Sequence, residues 1–256
     1  MEESFIEVNG IRVRYVEKGS GKNVILVHGL GGSLESWRNN LEYLSSMFRV
    51  VALDLPGFGF SDKPDVEYTP WFYADFLPKF LSRLGIRKAC LIGHSMGGLV
   101  ALATSIRHPE IVEKLVLVDA AGLDDWTAKV VREAMGEWWD MERLKRFYEE
   151  YVGKPDEKIL ELRLKLYEDE GLRRAYLSAL KALEKTISPE EVSKVSAPTL
   201  IIWGEGDRLT RPEGGVKLKS TIKGSRLVVF KDVSHTPHAD KPEEFNKLVS
   251  EFLKDP

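Results

Sequence analysis

Ala89-Cys90-Leu91-Ile92-Gly93-His94-Ser95-Met96-Gly97-Gly98-Leu99-Val100 sets one serine on a glycine-flanked turn between an apolar run and a helix-forming run. This is the layout of a nucleophile elbow, in which strand and helix close on each other and the serine is lifted above the sheet. The residue at the tip must take a strained backbone conformation, and its neighbours at the close approach must lack side chains. Gly93, Gly97 and Gly98 meet that need. Any strand-turn-helix can carry Gly-x-Ser-x-Gly by chance, so the weight of the reading falls on the rest of the chain.

Outward from this turn, short β-branched runs alternate with helical patterns, the sign of a mainly parallel sheet covered on both faces. Strands are expected at Phe5–Val8, Ile11–Glu17, Val24–His28, Arg49–Asp54, Ala89–Gly93, Lys114–Asp119, Thr199–Gly204 and Arg226–Phe230. Asn9-Gly10 should close the first two into a hairpin, because Asn-Gly favours the turn whose twist matches antiparallel strands. Helices are expected at about Leu34–Ser46, Trp71–Leu84, Met96–His108 and Glu243–Lys254, with Pro78 kinking or splitting the second. Between Leu123 and Ile187 the β signal vanishes and the text turns helical, charged and aromatic. Such helices could simply flank the sheet. However, they leave the chain after Asp119-Ala120-Ala121-Gly122, at a carboxyl strand end, where open α/β sheets place their ligand sites. The expected organisation is therefore an α/β core of residues 1–122 and 188–256, with a helical cap inserted at 123–187.

A chain of 256 residues suffices for one large α/β domain with a substantial core. Its formal net charge of -3 gives no basic field, so a nucleic-acid partner is not favoured and small-molecule chemistry is the better expectation. The single cysteine, Cys90, lies in an apolar run and reads as a buried structural thiol. Met1-Glu2-Glu3-Ser4 lacks the basic start of a signal peptide, and no apolar stretch is long enough for a membrane span, which fits a cytoplasmic enzyme.

Serine is a poor nucleophile at neutral pH, so Ser95 needs a base within hydrogen-bond reach and an acid to orient that base. Asp207 follows the strand Thr199–Gly204 in Gly204-Glu205-Gly206-Asp207-Arg208, and His235 follows Arg226–Phe230 in Lys231-Asp232-Val233-Ser234-His235. Both therefore lie in loops beyond strand ends. His238, three residues on, is the rival base, and Asp119 and Asp124 are rival acids. His28 is expected to hold its loop by hydrogen bonding, His94 to shape the elbow, and His108 to lie at a helix end on the surface. The scattered histidines lack metal-ligand spacing, so no metal is expected.

The order Ser, Asp, His in these settings resembles the α/β-hydrolase superfamily. Val27-His28-Gly29-Leu30-Gly31-Gly32 looks like that family's His-Gly loop, and Asp54-Leu55-Pro56-Gly57-Phe58-Gly59-Phe60-Ser61 like its Asp-x-Pro-Gly-x-Gly-x-Ser stretch. Trp203-Gly204-Glu205-Gly206-Asp207 and His235-Thr236-Pro237 are similar to its acid and histidine loops, and Pro242-Glu243-Glu244-Phe245 to its closing helix. The resemblance spans nearly the whole chain. It implies a central eight-stranded sheet, a variable cap and hydrolysis without metal or organic cofactor. It also implies a catalytic set of Ser95, Asp207 and His235, with oxyanion donors at the backbone N–H groups of Leu30 and Met96.

An apolar acyl pocket is expected from Gly29, Leu30 and Met96 together with cap residues such as Trp126, Trp138 or Trp139. The expected substrates are carboxylic esters of short to medium acyl chain. Thioesters, and the C–C bond of a diketone-like ring-fission product, are alternatives within the resemblance; a small-molecule receptor with little turnover is the alternative of another class. Serine where related dehalogenases and epoxide hydrolases carry aspartate argues against those two activities. Lys129, Arg132, Arg143, Lys145 and Arg146 could receive an anionic leaving group, although a solvated charged face explains them better.

Overall fold

The computed structural model describes residues 2–136, 140–154, 156–185 and 187–255. Eight strands form one sheet: β1 (Ser4–Val8), β2 (Ile11–Lys18), β3 (Asn23–Val27), β4 (Arg49–Leu53), β5 (Ala89–His94), β6 (Val112–Val118), β7 (Thr199–Gly204) and β8 (Arg226–Phe230). Their order across the sheet is β1-β2-β4-β3-β5-β6-β7-β8. Only β1–β2 and β2–β4 pair antiparallel, and the other pairs are parallel. The first hairpin turns at Asn9 and Gly10, both at positive φ (52° and 77°), the twist that Asn-Gly supplies.

Alternation along the strands divides the core in two. Val24, Leu26, Val50, Ala52, Cys90 and Ile92 face α1 (Arg38–Ser45) and the last helix of the chain, through Leu41, Leu44, Phe245 and Val249. Ile25, Val27, Val51, Leu53 and Leu91 face α2 (Pro70–Arg83) and α3 (Met96–Arg107), through Leu77, Phe80, Leu99 and Leu102. Both faces of the central strands are covered, which is why they read as continuous apolar runs. The Cys90 thiol sits inside the first of these layers, where burial pushes it up to about 12 and keeps it protonated.

Between β6 and β7 come α4 (Trp126–Met135), α5 (Met141–Phe147), a π-helix (Tyr148–Val152), α6 (Glu157–Tyr167), α7 (Glu170–Ala182) and the short α8 (Pro189–Val192), with no strand among the described residues. After β7 come α9 (Pro212–Thr221), then β8, α10 (Pro237–Asp240) and α11 (Pro242–Lys254). Among the described residues no helix is long and apolar enough to cross a membrane.

The structure differs from the sequence reading in two helices. The expected Leu34–Ser46 helix opens as a 3-10 turn at Leu34–Trp37 before α1. Pro78 does not split α2, which runs unbroken through it. The helix forgoes one hydrogen bond there but keeps Ala74, Leu77, Phe80 and Leu81 buried, and that burial outweighs the missing bond.

Strand order explains where the site lies. The chain leaves β3 for β4 on one side and returns through α2 to β5 on the other, so the loops after β3 and β5 diverge and open a crevice at their carboxyl ends. The β5-to-α3 turn closes tightly beneath it. A Cβ on Gly93 would sit 2.1 Å from Gly97 O, and one on Gly97 would sit 2.2 Å from Val27 O. Backbone cannot retreat from such a clash. Gly97→Ala is therefore expected to lower stability by about 1–3 kcal/mol or more, measurable as a shifted urea midpoint at unchanged slope. An unaltered midpoint would contradict this packing.

Candidate active site

Ser95 occupies the turn between β5 and α3 at φ 54° and ψ -119°, a conformation L residues rarely adopt. Its N–H donates to Val118 O (2.9 Å), and its carbonyl accepts from Ala121 N–H (3.1 Å). The strain is thus held by the end of β6 and the segment that follows it. Leu30 and Met96 flank the serine from the β3 loop and the first turn of α3. Among the described residues neither backbone N–H has a backbone acceptor, as expected of a helix start and an open loop.

His28 fixes the β3 loop. Its Nδ1 bonds Gly29 O (2.8 Å) and its Nε2 accepts from Leu55 N–H (3.0 Å), which sets one neutral tautomer. Burial lowers it to about 4, so it stays uncharged at neutral pH. A second anchor lies beneath. Asp54 accepts from the N–H groups of Leu34 (2.7 Å) and Phe60 (2.8 Å) and pairs with buried Arg14 (3.1 Å), joining the Asp54–Ser61 stretch to the β3 loop.

His235, in the loop after β8, meets Asp207, in the loop after β7, at 2.8 Å between Nδ1 and Oδ2. Asp207 Oδ1 accepts from the N–H groups of Leu209 (2.8 Å) and Thr210 (3.0 Å), and Oδ2 also accepts from the Thr210 hydroxyl (2.5 Å). Burial alone would raise this carboxyl, but the charge and hydrogen bond of His235, with Thr210, bring it down to about 2. It is a carboxylate throughout the neutral range. The His235 backbone is gripped from two sides, its N–H by Val152 O of the π-helix (2.9 Å) and its carbonyl by His94 Nε2 (2.8 Å). Among the described residues Ser95 has no hydrogen bond to His235. Such contacts often tighten only when substrate binds.

Ser95, His235, Gly29 and Leu30 line one cavity of about 730 Å³, roofed by Val131, Met135, Leu144, Phe147 and Tyr148 from the helices between β6 and β7. Trp126 does not line it: its indole N–H donates to Arg208 O (3.1 Å), and the Arg211 guanidinium lies over its ring. Trp138 and Trp139 lie outside the described residues. Met96 is buried beside Ser95, and its side chain is not part of the lining. Lys129, Arg132, Arg143, Lys145 and Arg146 face elsewhere; Arg132 pairs with Glu184, and Lys145 with Glu157. Three other cations line the cavity, Arg38, Lys154 and Arg163 of α6, and for none of them did the sequence carry a signal; Arg38 pairs with Asp156. The Arg163 guanidinium lies 5.4 Å from the Tyr148 ring centre and has no acidic partner among the described residues. Burial lowers His94 and raises Tyr148 and Tyr176; the Arg163 charge adds to the first effect and opposes the other two.

Of the rivals Asp124 lies apart from His235, whereas His238 and Asp119 lie close to it. Asp124 pairs with Arg211 (3.1 Å) and caps Trp126, and Glu205 is exposed. His108 lies at the far end of α3 between Asp75 and Glu110. The His238 ring packs 4.5 Å from Trp37 and 6.0 Å from Phe245, and burial with the charge of His235 lowers it to about 3. One oxygen each of Asp119 and Asp207 and a ring nitrogen of His235 lie within 4.8 Å of one another, a spacing that could suit a metal. The Asp207 and His235 donors are, however, already committed to each other and to Thr210. Thr210 was legible in principle, since a hydroxyl three residues after a loop aspartate is the pattern of a local side-chain turn.

A family model described as alpha/beta hydrolase fold matches residues 22–150, and one described as TAP-like protein matches residues 179–256. The 2-hydroxy-6-oxo-6-(2'-aminophenyl)hexa-2,4-dienoic acid hydrolase of Metapseudomonas resinovorans is 31% identical over 262 residues, covering 98% of this chain and 90% of that protein. The meta-cleavage product hydrolase from Pseudomonas fluorescens IP01 superposes with a TM-score of 0.88 at 27% identity, over 98% of this chain and 97% of the other. The enol-lactonase from Burkholderia xenovorans LB400 does so with a TM-score of 0.81 at 25% identity, over 98% and 100%. With the elbow, the sheet order and these matches together, the chain belongs to the α/β-hydrolase fold family, as a hydrolase.

Proposed function

We propose that this protein is a serine hydrolase cleaving carboxylic esters of short to medium acyl chain, with the helices from 123 to 187 acting as a cap over the site. The observation that carries the proposal is the meeting of Ser95 and the Asp207-bound His235 in one largely apolar cavity. Ser95 Oγ attacks the acyl carbon as His235 Nε2 takes its proton. The tetrahedral oxyanion is held by the N–H groups of Leu30 and Met96. His235 then protonates the departing alkoxide, and the C–O bond breaks to leave an acyl-serine. Water, giving a proton to His235, attacks that ester, and Ser95 regains its proton as the acid leaves. Asp207 fixes the imidazole tautomer and balances the transient imidazolium. A thioester would follow the same course.

A second reading, C–C hydrolysis, draws support from Arg163 and from the relatives whose names end in dienoic acid or dienoate. A substrate that carries its own carboxylate would bring Arg163 an acidic partner, which it lacks among the described residues, and the cation would stabilise a leaving group departing as an enolate. The distinguishing experiment compares p-nitrophenyl esters of increasing acyl length with a 2-hydroxy-6-oxohexa-2,4-dienoate, in the wild type and Arg163→Met. Faster turnover of the esters, with KM altered little by Arg163→Met, is the expected result. Preference for the dienoate, with KM raised roughly 10- to 100-fold by Arg163→Met, would establish the second reading. Turnover of neither would overturn both.

A further inference from the structure

Asp119 is fully buried, and the mechanism above gives it no task. It follows β6 at φ 44°, a left-handed conformation. Its N–H donates to Ile202 O (3.0 Å), and its Oδ1 accepts from Gly204 N–H (2.9 Å). Its Oδ2 has no donor among the described residues, although it is as buried as the rest of the side chain. Gly204 is a sensitive point to hold. It ends β7, three residues before Asp207, and packs so tightly under the other loop that an added Cβ would reach 1.7 Å from Ser234 O. A shift there would move Asp207 and His235 together.

The two carboxyl groups cannot both be charged at this separation in a buried setting, since like charges disfavour each other strongly where water is excluded. Asp207 has two N–H groups, a hydroxyl and an imidazole to stabilise its charge, whereas Asp119 has one N–H. The proton therefore belongs to Asp119. Burial, then the charge and hydrogen bonding of Asp207, raise Asp119 well above the usual carboxyl range, in agreement with this assignment.

We propose that Asp119 is a positioning residue for the hydrolysis, a neutral carboxylic acid that ties the end of β7 to β6 through Gly204 and turns its proton toward Asp207, holding that carboxylate against His235. This rests on Ser95, His235 and Asp207 being the catalytic set. Donation to Asp207 draws charge from it, so removing that donor would strengthen the pull of Asp207 on the imidazolium. The other groups facing His235 are His94, His238 and Asp240, and the last of these also faces Asp119; all are common to every variant.

The test follows the low-field Nδ1 proton of His235 by NMR across pH, alongside kcat and KM on a p-nitrophenyl ester, in the wild type, Asp119→Asn and Asp119→Ala. Asparagine offers the same two functions as a neutral acid, an oxygen for Gly204 N–H and an N–H for Asp207. Asp119→Ala is expected to lower kcat roughly 10- to 100-fold at unchanged KM and to raise the His235 midpoint. Asp119→Asn is expected to recover most of the lost rate and to keep the midpoint within about 0.3 unit of the wild type. If Asp119 is instead ionised, both variants lose a negative charge and lower the midpoint, by about one unit or more. That result, or an unaltered rate and midpoint in both variants, overturns the proposal. Should Asp119→Ala fail to fold, Asp119→Leu, which keeps the branched shape and removes both functions, takes its place with the same expected and overturning results. Failure of an organophosphonate to label Ser95 in the wild type would signal a different fault, in the catalytic set itself.

Discussion

Ser95→Ala is expected to reduce turnover of a p-nitrophenyl ester roughly a millionfold, the loss seen when the nucleophile of a serine hydrolase is removed. The magnitude follows from the route: without Oγ no acyl-serine forms, and His235 and the oxyanion donors act on bound water alone. The fold should not suffer. Alanine keeps the Cβ and therefore the same left-handed strain, and the serine hydroxyl makes no hydrogen bond to His235 that the substitution would break. A thermal melt within a few degrees of the wild type, together with retained ligand affinity, separates loss of chemistry from loss of structure. A rate within tenfold of the wild type would remove Ser95 from the mechanism. Ligand binding without turnover in the wild type itself would favour a receptor.

His235→Ala and His238→Leu should part company almost as widely. Removing the base costs about as much as removing the nucleophile, again roughly a millionfold, and His235→Ala should also resist labelling of Ser95 by an organophosphonate. The His238 ring is stacked against Trp37 and Phe245, with a buried Nδ1 that has no partner among the described residues. Leucine fills the same apolar seat, and the Asn40 amide bonds the backbone carbonyl at 238, which the substitution keeps. Rapid labelling of His238→Leu, with kcat within about tenfold of the wild type, is the expected outcome. The opposite pattern, with His238→Leu inert and His235→Ala labelled, would exchange the two assignments.

The sheet was legible because its central strands are buried on both faces. Val24–Val27, Val50–Leu53 and Ala89–Ile92 are unbroken apolar runs, and each appears as a strand within a residue or two of its expected place. Helices were legible where one face is apolar, as in α11. Propensity misled at Pro78 because the cost of one missing hydrogen bond is local, while the burial that keeps α2 whole comes from the sheet beneath it. The sequence predicts Trp126 in the pocket wall, but an indole is as content to cover a loop as a substrate. Trp126 does the former, over Arg208 and beneath Arg211.

By itself the sequence determined the chemistry that must be local. A serine between glycines at a strand end, an aspartate and a histidine each following an apolar strand, and a His-Gly loop are written as adjacent residues, because strain, turn closure and strand burial act over a few positions. Only the tertiary structure decided what depends on distance through space. It set His235 rather than His238 against Asp207, brought Val152 O to the His235 backbone, placed Arg163 in the cavity lining against Tyr148 and, among the described residues, left Asp119 Oδ2 without a donor. Residues 119, 207 and 235 come together only because β6, β7 and β8 lie side by side and parallel in the sheet, and electrostatic interactions fall with distance through space, which linear spacing does not record.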